Sequence, residues 1–308
     1  MAAMGKRLLL AWLVACWPGW GIAAPLPVEE VAPGVFVYAG AHEETSAANR
    51  GAIANVGFIV GRRCVAVVDT GGSLAVGQGL REAVRVRTEL PVCYVINTHV
   101  HPDHLLGNAA FAGDKPSFVG HARLPAALAA RARTYLAALS RALGPEAGGT
   151  PLVPPDTLVQ DTLTLDLGGR RLALRAWPTA HTDQDLTVFD EQTGTLWLGD
   201  LLFVERIPAV DGSARGWLQV MASLRGLAVQ RAVPGHGPAT VAWPAALDAQ
   251  ERYLATLVEE TRRALQRRLT LQQAVDSVGH AERGKWRLFD LYHPRNVTAV
   301  YTELEWED

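Results

Sequence analysis

Cysteine is scarce in this chain, and an excess of charge of either sign is missing. Three cysteines occur in 308 residues, and none of them sits in a spacing that marks a metal ligand. A formal net charge of -2 gives no electrostatic basis for holding nucleic acid, whose binders carry a basic face. No heptad run is long enough to require a coiled-coil partner, and internal repeats and low-complexity tracts are lacking. One long apolar run stands near the start, and it is too short to span a bilayer securely. What is present is hydrophobic content of 49% against 19% charged residues, a balance that buries a large core rather than leaving a chain disordered. The length fits a single α/β unit.

The start of the chain reads as an export signal. Lys6 and Arg7 form a basic beginning, residues 8–16 are apolar, and Gly21-Ile22-Ala23 supplies small residues for cleavage. Residues 1–23 are thus expected to be removed, leaving a mature domain over 24–308; cleavage after Ala24 is an alternative. Leu13-Val14-Ala15-Cys16 also resembles a bacterial lipobox, which would remove 1–15 and leave Cys16 as a lipid anchor. Both readings place the protein in the periplasm or outside the cell. Cys64 and Cys93 then remain, in neighbouring strands of an oxidising compartment. Adjacent strands seldom suit a bridge, so two buried free thiols are expected.

The run Thr98-His99-Val100-His101-Pro102-Asp103-His104 crowds four potential metal ligands into six residues at the end of an apolar strand. In extended backbone, alternate side chains share a face, so His99 and His101 can reach one ion together. Pro102 bends the chain, and Asp103 and His104 leave toward a second position. Three further candidates each follow an apolar run: His181 in Trp177-Pro178-Thr179-Ala180-His181, Asp200 in Leu196-Trp197-Leu198-Gly199-Asp200, and His236 in Val233-Pro234-Gly235-His236. Singly each is weak; in this order they form a set.

That set resembles the metallo-β-lactamase superfamily, whose pattern is H-x-H-x-D-H followed by a His, an Asp and a His, each after a core strand. The resemblance runs from about residue 35 to about 237, with a helical tail beyond. It implies a four-layer αββα sandwich of two mixed β-sheets and a site for two zinc ions, with iron or manganese as alternatives that the same donors suit. His99, His101 and His181 would hold one ion, Asp103, His104 and His236 the other, and Asp200 would bridge them. Asp69, closing an earlier strand, is placed as the acid that orients a metal-bound histidine in relatives; a turn cap in Asp69-Thr70-Gly71-Gly72 is the competing reading. Antibiotic-hydrolysing members generally carry Cys or Ser in place of Asp200, whereas glyoxalase II-like and lactonase-like hydrolases carry the Asp. His101 argues against the di-iron redox branch. The segment around His181, with Arg206-Ile207-Pro208, looks most like periplasmic hydrolases associated with sulfur oxidation and quinoproteins.

The rest of the pattern is consistent with that fold. Strands are expected over 35–38, 56–60, 65–69, 94–97 and 117–121, helices over 74–89 and 124–143, and hairpins at Gly168-Gly169 and between 189 and 196. A helix near 217–228 precedes His236, and residues 245–275 read as continuously helical.

The resulting expectation is a dinuclear zinc hydrolase of small esters, thioesters, lactones or lactams, in which Asp103 orients the metal-bound hydroxide and is available as proton acceptor. A mononuclear iron enzyme like the persulfide dioxygenases shares much of the ligand pattern, and a non-catalytic metal- or cofactor-binding accessory of a quinoprotein pathway is the third reading. His42 and Arg50 lie in a stretch where relatives carry a loop over the site and are placed to meet an anionic substrate, but a solvated surface loop is the preferred reading. His121 reads as a loop histidine, and His280 and His293 have no motif partner.

Overall fold

A computed structural model describes residues 23–307. The expected signal segment up to residue 22, and with it the Cys16 alternative, lies outside the described residues.

The first sheet has seven strands in chain order: β1 (Glu29–Ala32), β2 (Val35–Tyr38), β3 (Val56–Val60), β4 (Val65–Val68), β5 (Val92–Ile96), β6 (Ser117–His121) and β7 (Thr157–Val159). Pairing is antiparallel from β1 to β4 and parallel from β4 to β7. The parallel part needs crossovers, supplied by α1 (Leu74–Arg87), the short α2 (Pro102–Leu105) and α3 (Leu124–Leu143). Val65-Ala66-Val67-Val68 shows no polar alternation because it is buried on both faces.

The second sheet runs β12-β11-β10-β9-β8, from β8 (Thr162–Asp166), β9 (Arg171–Ala176), β10 (Leu186–Asp190), β11 (Thr195–Phe203) and β12 (Arg231–His236). Its hairpins are antiparallel, while β11 and β12 are parallel and joined through α4 (Ala214–Arg225). Ile59, Val68 and Ile96 of the first sheet meet Leu172, Val188 and Trp197 of the second in one apolar layer. Outside the first sheet, Phe58 and Val67 pack against Leu80 and Val84 of α1. Outside the second, Leu198 packs with Trp217 and Met221 of α4, together with the C-terminal helices. This is the four-layer αββα sandwich, each fully buried Leu, Val or Phe contributing roughly 1.5–3 kcal/mol.

Two expectations are corrected. Cys64 and Cys93 form a disulfide, with Cα atoms 5.7 Å apart. Between the β4–β5 pairs Val65↔Val92 and Ala66↔Tyr94 the register slips by one, so Cys93 is an extra residue in a bulge. The bulge brings it to Cys64 where regular pairing of neighbouring strands would not. Removing the bridge with a Cys64→Ala/Cys93→Ala double variant is expected to cost about 3–4 kcal/mol, the chain-entropy estimate for a loop of this length. Thermal unfolding of the oxidised protein and the variant checks it; identical midpoints would show that the bridge adds no stability.

The second correction concerns residues 245–275, which form not one helix but α5 (Leu247–Gln266) and α6 (Leu271–Val275). Arg268 takes a left-handed conformation with φ of 57°, and Thr270 restarts the chain with a capping box to Gln273. A further helix, α7 (Phe289–Leu304), closes the tail. None of the described helices is long and apolar enough to cross a membrane.

The tail is locked by Glu282. Its buried carboxylate accepts from Arg252, Lys285 and the Trp286 indole. Burial alone would raise its pKa, yet these donors pull it down to about 2. A depressed carboxylate stabilises the fold above its unfolded pKa and stops doing so as pH falls through the folded value. Glu282→Gln is therefore expected to lower stability by roughly 2–4 kcal/mol at neutral pH, with the gap from wild type closing between the ordinary glutamate range and pH 2. Denaturant unfolding across pH checks this; a gap independent of pH would contradict it.

Candidate metal centre

The site lies at one edge of the sandwich, where strands of both sheets end. Asp69 follows β4, the His99–His104 run follows β5 and enters α2, Asp200 sits within β11, and His236 closes β12. His181 comes from the loop between β9 and β10. That loop is fixed by Asp185, which accepts from the Thr182 amide at 2.9 Å and its hydroxyl at 2.7 Å.

Two groups of donors converge. His99, His101, His181 and Asp200 form one, and Asp103, His104 and His236 the other. Asp200 stands between them with its oxygens divided. Oδ2 lies 3.6 Å from His99 Nε2 and 3.3 Å from His181 Nε2. Oδ1 lies 3.0 Å from His104 Nε2 and 3.5 Å from His236 Nε2. Asp103 Oδ2 is 3.3 Å from His236 Nε2 and 3.9 Å from His104 Nε2. Every candidate ligand read from the sequence thus falls in this cluster.

Glycine is required at two points here. Gly199 has φ of 50°, and a Cβ on it would lie 2.6 Å from the Thr98 side chain. A Cβ on Gly235 would lie 2.0 Å from Asp200 Oδ1, so the Pro234-Gly235-His236 turn leaves room for that carboxylate.

The outward nitrogens decide what the inward ones can do. His181 Nδ1 donates to the Ala209 carbonyl at 2.7 Å and His236 Nδ1 to the Ile53 carbonyl at 2.8 Å. His104 Nδ1 donates to Asp69 at 2.8 Å, and His101 Nε2 to Asp211 at 3.2 Å. Thr98 gives its hydroxyl proton to Asp69 at 2.7 Å, so its oxygen is left to accept from His99 Nδ1 at 3.0 Å. In neutral imidazoles each outward proton leaves a bare lone pair facing inward. His101 Nδ1 and His181 Nε2 then face each other at 2.9 Å with no proton between them. His99 Nε2, His104 Nε2 and Asp200 Oδ1 are buried without a hydrogen-bond partner. Converging lone pairs, carboxylate oxygens and unpartnered buried acceptors are what divalent cations satisfy, and the donor set fits zinc, iron or manganese.

The field inside the cluster is strong. Burial drives His99 well below the usual imidazole range and His181 down to about 3. Burial acts in the same direction on His104, but Asp200, Asp69 and Asp103 overcome it and hold that group well above the usual range. For Asp103 and Asp200, burial is outweighed by the surrounding imidazoles, which keep both carboxylates ionised.

Asp69 does more than cap a turn. It accepts from the Thr98 amide at 2.8 Å as well as from the Thr98 hydroxyl and His104, at a left-handed φ of 54° that an Asp tolerates. A buried Thr70–Asn97–Asn108 network lies beneath it, Thr70 and Asn97 both donating to Asn108. No motif in the sequence points to that network, nor to Asp211. His42 lies 3.7 Å from Glu205, and Arg50 reaches Glu146 at 3.8 Å rather than the cluster. Arg206, the start of the Arg206-Ile207-Pro208 segment, is buried and holds the loop of residues 41–50 by donating to the Glu43 carbonyl; it also donates to the Tyr292 hydroxyl, which in turn donates to Glu44. His121 accepts from the Arg123 amide at 3.0 Å. His293 is buried among Tyr253, Val278 and Phe289, a structural position.

An αββα sandwich with seven His and Asp donors at the strand ends defines a metal-site protein of the hydrolase-like kind. The superfamily profile described as "Metallo-beta-lactamase superfamily" matches residues 49–280, and the chain belongs to that superfamily. No curated protein sequence matches it. Among solved structures, the stereoselective inverting sec-alkylsulfatase Pisa1 from Pseudomonas sp. is similar in fold, with a TM-score of 0.69 and 17% identity over 91% of this chain. This chain spans only 50% of that enzyme's length. A metallo-β-lactamase family protein from Thermus thermophilus has a TM-score of 0.62 and 20% identity, covering 89% of this chain and 94% of its own. A metallo-β-lactamase from Pontibacter korlensis has a TM-score of 0.58 and 18% identity, covering 74% of this chain and 98% of its own.

Proposed function

We propose that this protein is a dinuclear metallohydrolase, with zinc as its metal, acting on a small ester-type substrate outside the cytoplasm. The observation that carries the reading is the division of Asp200, one oxygen toward His99 and His181, the other toward His104 and His236. A structural zinc site is closed by four ligands around one ion; a carboxylate shared between two donor nests supports a pair of ions and catalysis instead. When bound, the ions supply hydroxide at neutral pH and polarise the bond to be cleaved.

The residues of the chain do the remainder. Asp103 and His101 are the most exposed members of the cluster, at 14% and 18% of their side-chain surface, while the others lie at 3% or below. Substrate therefore enters on the side of Asp103 and His101. Asp103, held ionised, accepts a hydrogen bond from the attacking water and so fixes its direction. Such a carboxylate is a weak base, which favours orientation over lasting proton storage. The hydrophobic wall of Phe203 and Trp217 beside His181 limits water on the inner side. Asp200 in place of Cys or Ser favours esters, thioesters or lactones over β-lactams, and the sulfatase likeness adds secondary alkyl sulfates as a class to try.

Purified protein with its metal content measured should be offered thioesters, lactones, β-lactams and secondary alkyl sulfates. Turnover of one class, abolished by a chelator and restored by Zn2+, is the expected result. A protein carrying one iron per chain, and consuming oxygen with persulfides instead, would overturn the reading.

A further inference from the structure

The four buried or backbone-held histidines of the cluster need no further explanation for their orientation. His181 and His236 donate to carbonyls, His99 to a threonine hydroxyl already committed to Asp69, and His104 to Asp69 itself. His101 differs. It is the most exposed of the histidines in the cluster, and its outward nitrogen meets no backbone group; it faces the Asp211 carboxylate at 3.2 Å. The same Oδ2 accepts from Arg131 of α3 at 3.3 Å.

Asp211 is held from behind. The segment carrying it runs against the His181 loop: the Ala209 carbonyl accepts from His181, the Asp211 amide donates to the His181 carbonyl at 3.2 Å, and the Ser213 amide donates to the Ala180 carbonyl at 2.8 Å. Asn296 of α7 clamps the segment through the Pro208 carbonyl and the Val210 amide. One short segment thus presents a carbonyl to one histidine of the first nest and a carboxylate to another. An exposed Arg–Asp pair by itself contributes about 0–1 kcal/mol, so the pair with Arg131 does not account for this construction.

Resting on the dinuclear reading, we infer that Asp211 is a positioning residue for the first metal nest, fixing His101 with Nε2 protonated outward and Nδ1 bare toward the ion, while Arg131 steadies the carboxylate. Without Asp211, the exposed imidazole is free to turn over and to carry its proton on either nitrogen. Of the four combinations only one, Nδ1 inward with the proton on Nε2, offers the ion a bare nitrogen; a turned ring puts Cδ2 in the place of Nδ1. The Asp69–His104 pair is the buried counterpart on the second nest. Carboxylates that hold a metal-bound histidine typically account for 10–100-fold in metal affinity.

The test is Zn2+ affinity, measured for the full mature protein by competition with a chromophoric chelator, on wild type, Asp211→Ala, Asp211→Asn and Arg131→Ala. Co2+ absorption spectra report the geometry of each nest independently of activity. In Asp211→Ala, one of two zinc sites is expected to weaken by about 10–100-fold, with the Co2+ spectrum of that site altered and the other site unchanged. Asp211→Asn keeps an acceptor oxygen and should fall between wild type and alanine, while Arg131→Ala should lose only a few-fold. The metal-free unfolding midpoint should stay at the wild-type value, which separates positioning from a fold defect. Two sites of wild-type affinity in Asp211→Ala would overturn the inference and leave the dinuclear reading standing. A wild-type protein unable to bind two Zn2+ would overturn the dinuclear reading, and the inference with it. Equal loss from both sites together with a lowered metal-free midpoint would assign Asp211 to the fold and overturn positioning.

Discussion

Asp200→Ala is expected to leave at most one ion per chain and to lower turnover by on the order of 10³-fold or more. The reason is geometric. Asp200 is the sole carboxylate among the described residues that lies within 3.6 Å of imidazole nitrogens in both nests. Its removal takes one anionic donor from each position at once. The first nest keeps three nitrogens and can hold an ion weakly; the second keeps two imidazoles and Asp103. Elemental analysis after dialysis, alongside activity on whichever substrate class the wild type accepts, checks both halves. Retention of two ions would show that Asp200 bridges nothing.

Asp69→Ala should have the second largest effect, on stability as well as on metal. Three donors converge on that buried carboxylate: the Thr98 amide, the Thr98 hydroxyl and His104 Nδ1. Alanine would strand all three, each at about 1–3 kcal/mol if it found no water. It would also have to adopt the left-handed backbone at φ of 54°, which disfavours a Cβ by roughly another 1–2 kcal/mol. A total loss of about 3–5 kcal/mol is expected, because the contributions are not additive. Asp69→Asn separates the two effects. It keeps one acceptor and tolerates the backbone, so it should recover much of the stability while still weakening the second nest by about 10–100-fold through His104. Unfolding midpoints and Zn2+ affinity on the two variants check this. An alanine variant as stable as wild type would reduce Asp69 to a turn cap.

Much of the site is legible in the amino-acid sequence. His99 and His101 alternate along an extended segment, Pro102 bends the chain, and each later ligand closes or follows an apolar run, so spacing and strand ends show which side chains converge. What spacing does not show lies in contacts distant in sequence. Asp211 is 110 positions from His101, sits in no motif, and is half exposed, so nothing local distinguishes it from a solvated acid. The Asn97–Asn108 pair is similar, two uncharged residues whose meaning arises only when the 3-10 turn that follows α2 and begins at Asn108 packs against β5.

The same distinction separates the parts of the fold. Long apolar runs such as β4 and the Ala- and Arg-rich α3 are plain from period and composition. The break at residues 267–270 is less plain, because helix propensity continues through Arg267 and Arg268, and its local mark is the Thr270–Gln273 capping box. The Cys64–Cys93 bridge escapes the sequence for a related reason. A one-residue bulge in β5 changes which side chains meet, and hydrophobic patterning does not encode it. Register and long-range contact are thus where the sequence misleads, while the clustering of the His and Asp side chains is within its reach.

The central claim is a pair of ions held on either side of Asp200. Crystals of the zinc-loaded protein, measured at and below the zinc absorption edge, test it most directly. Two anomalous peaks about 3.5–4 Å apart, one against His99, His101 and His181 and the other against Asp103, His104 and His236, are the predicted result. A single peak with Asp200 bound to it through one oxygen, and Asp103 and His236 left without an ion, would contradict it.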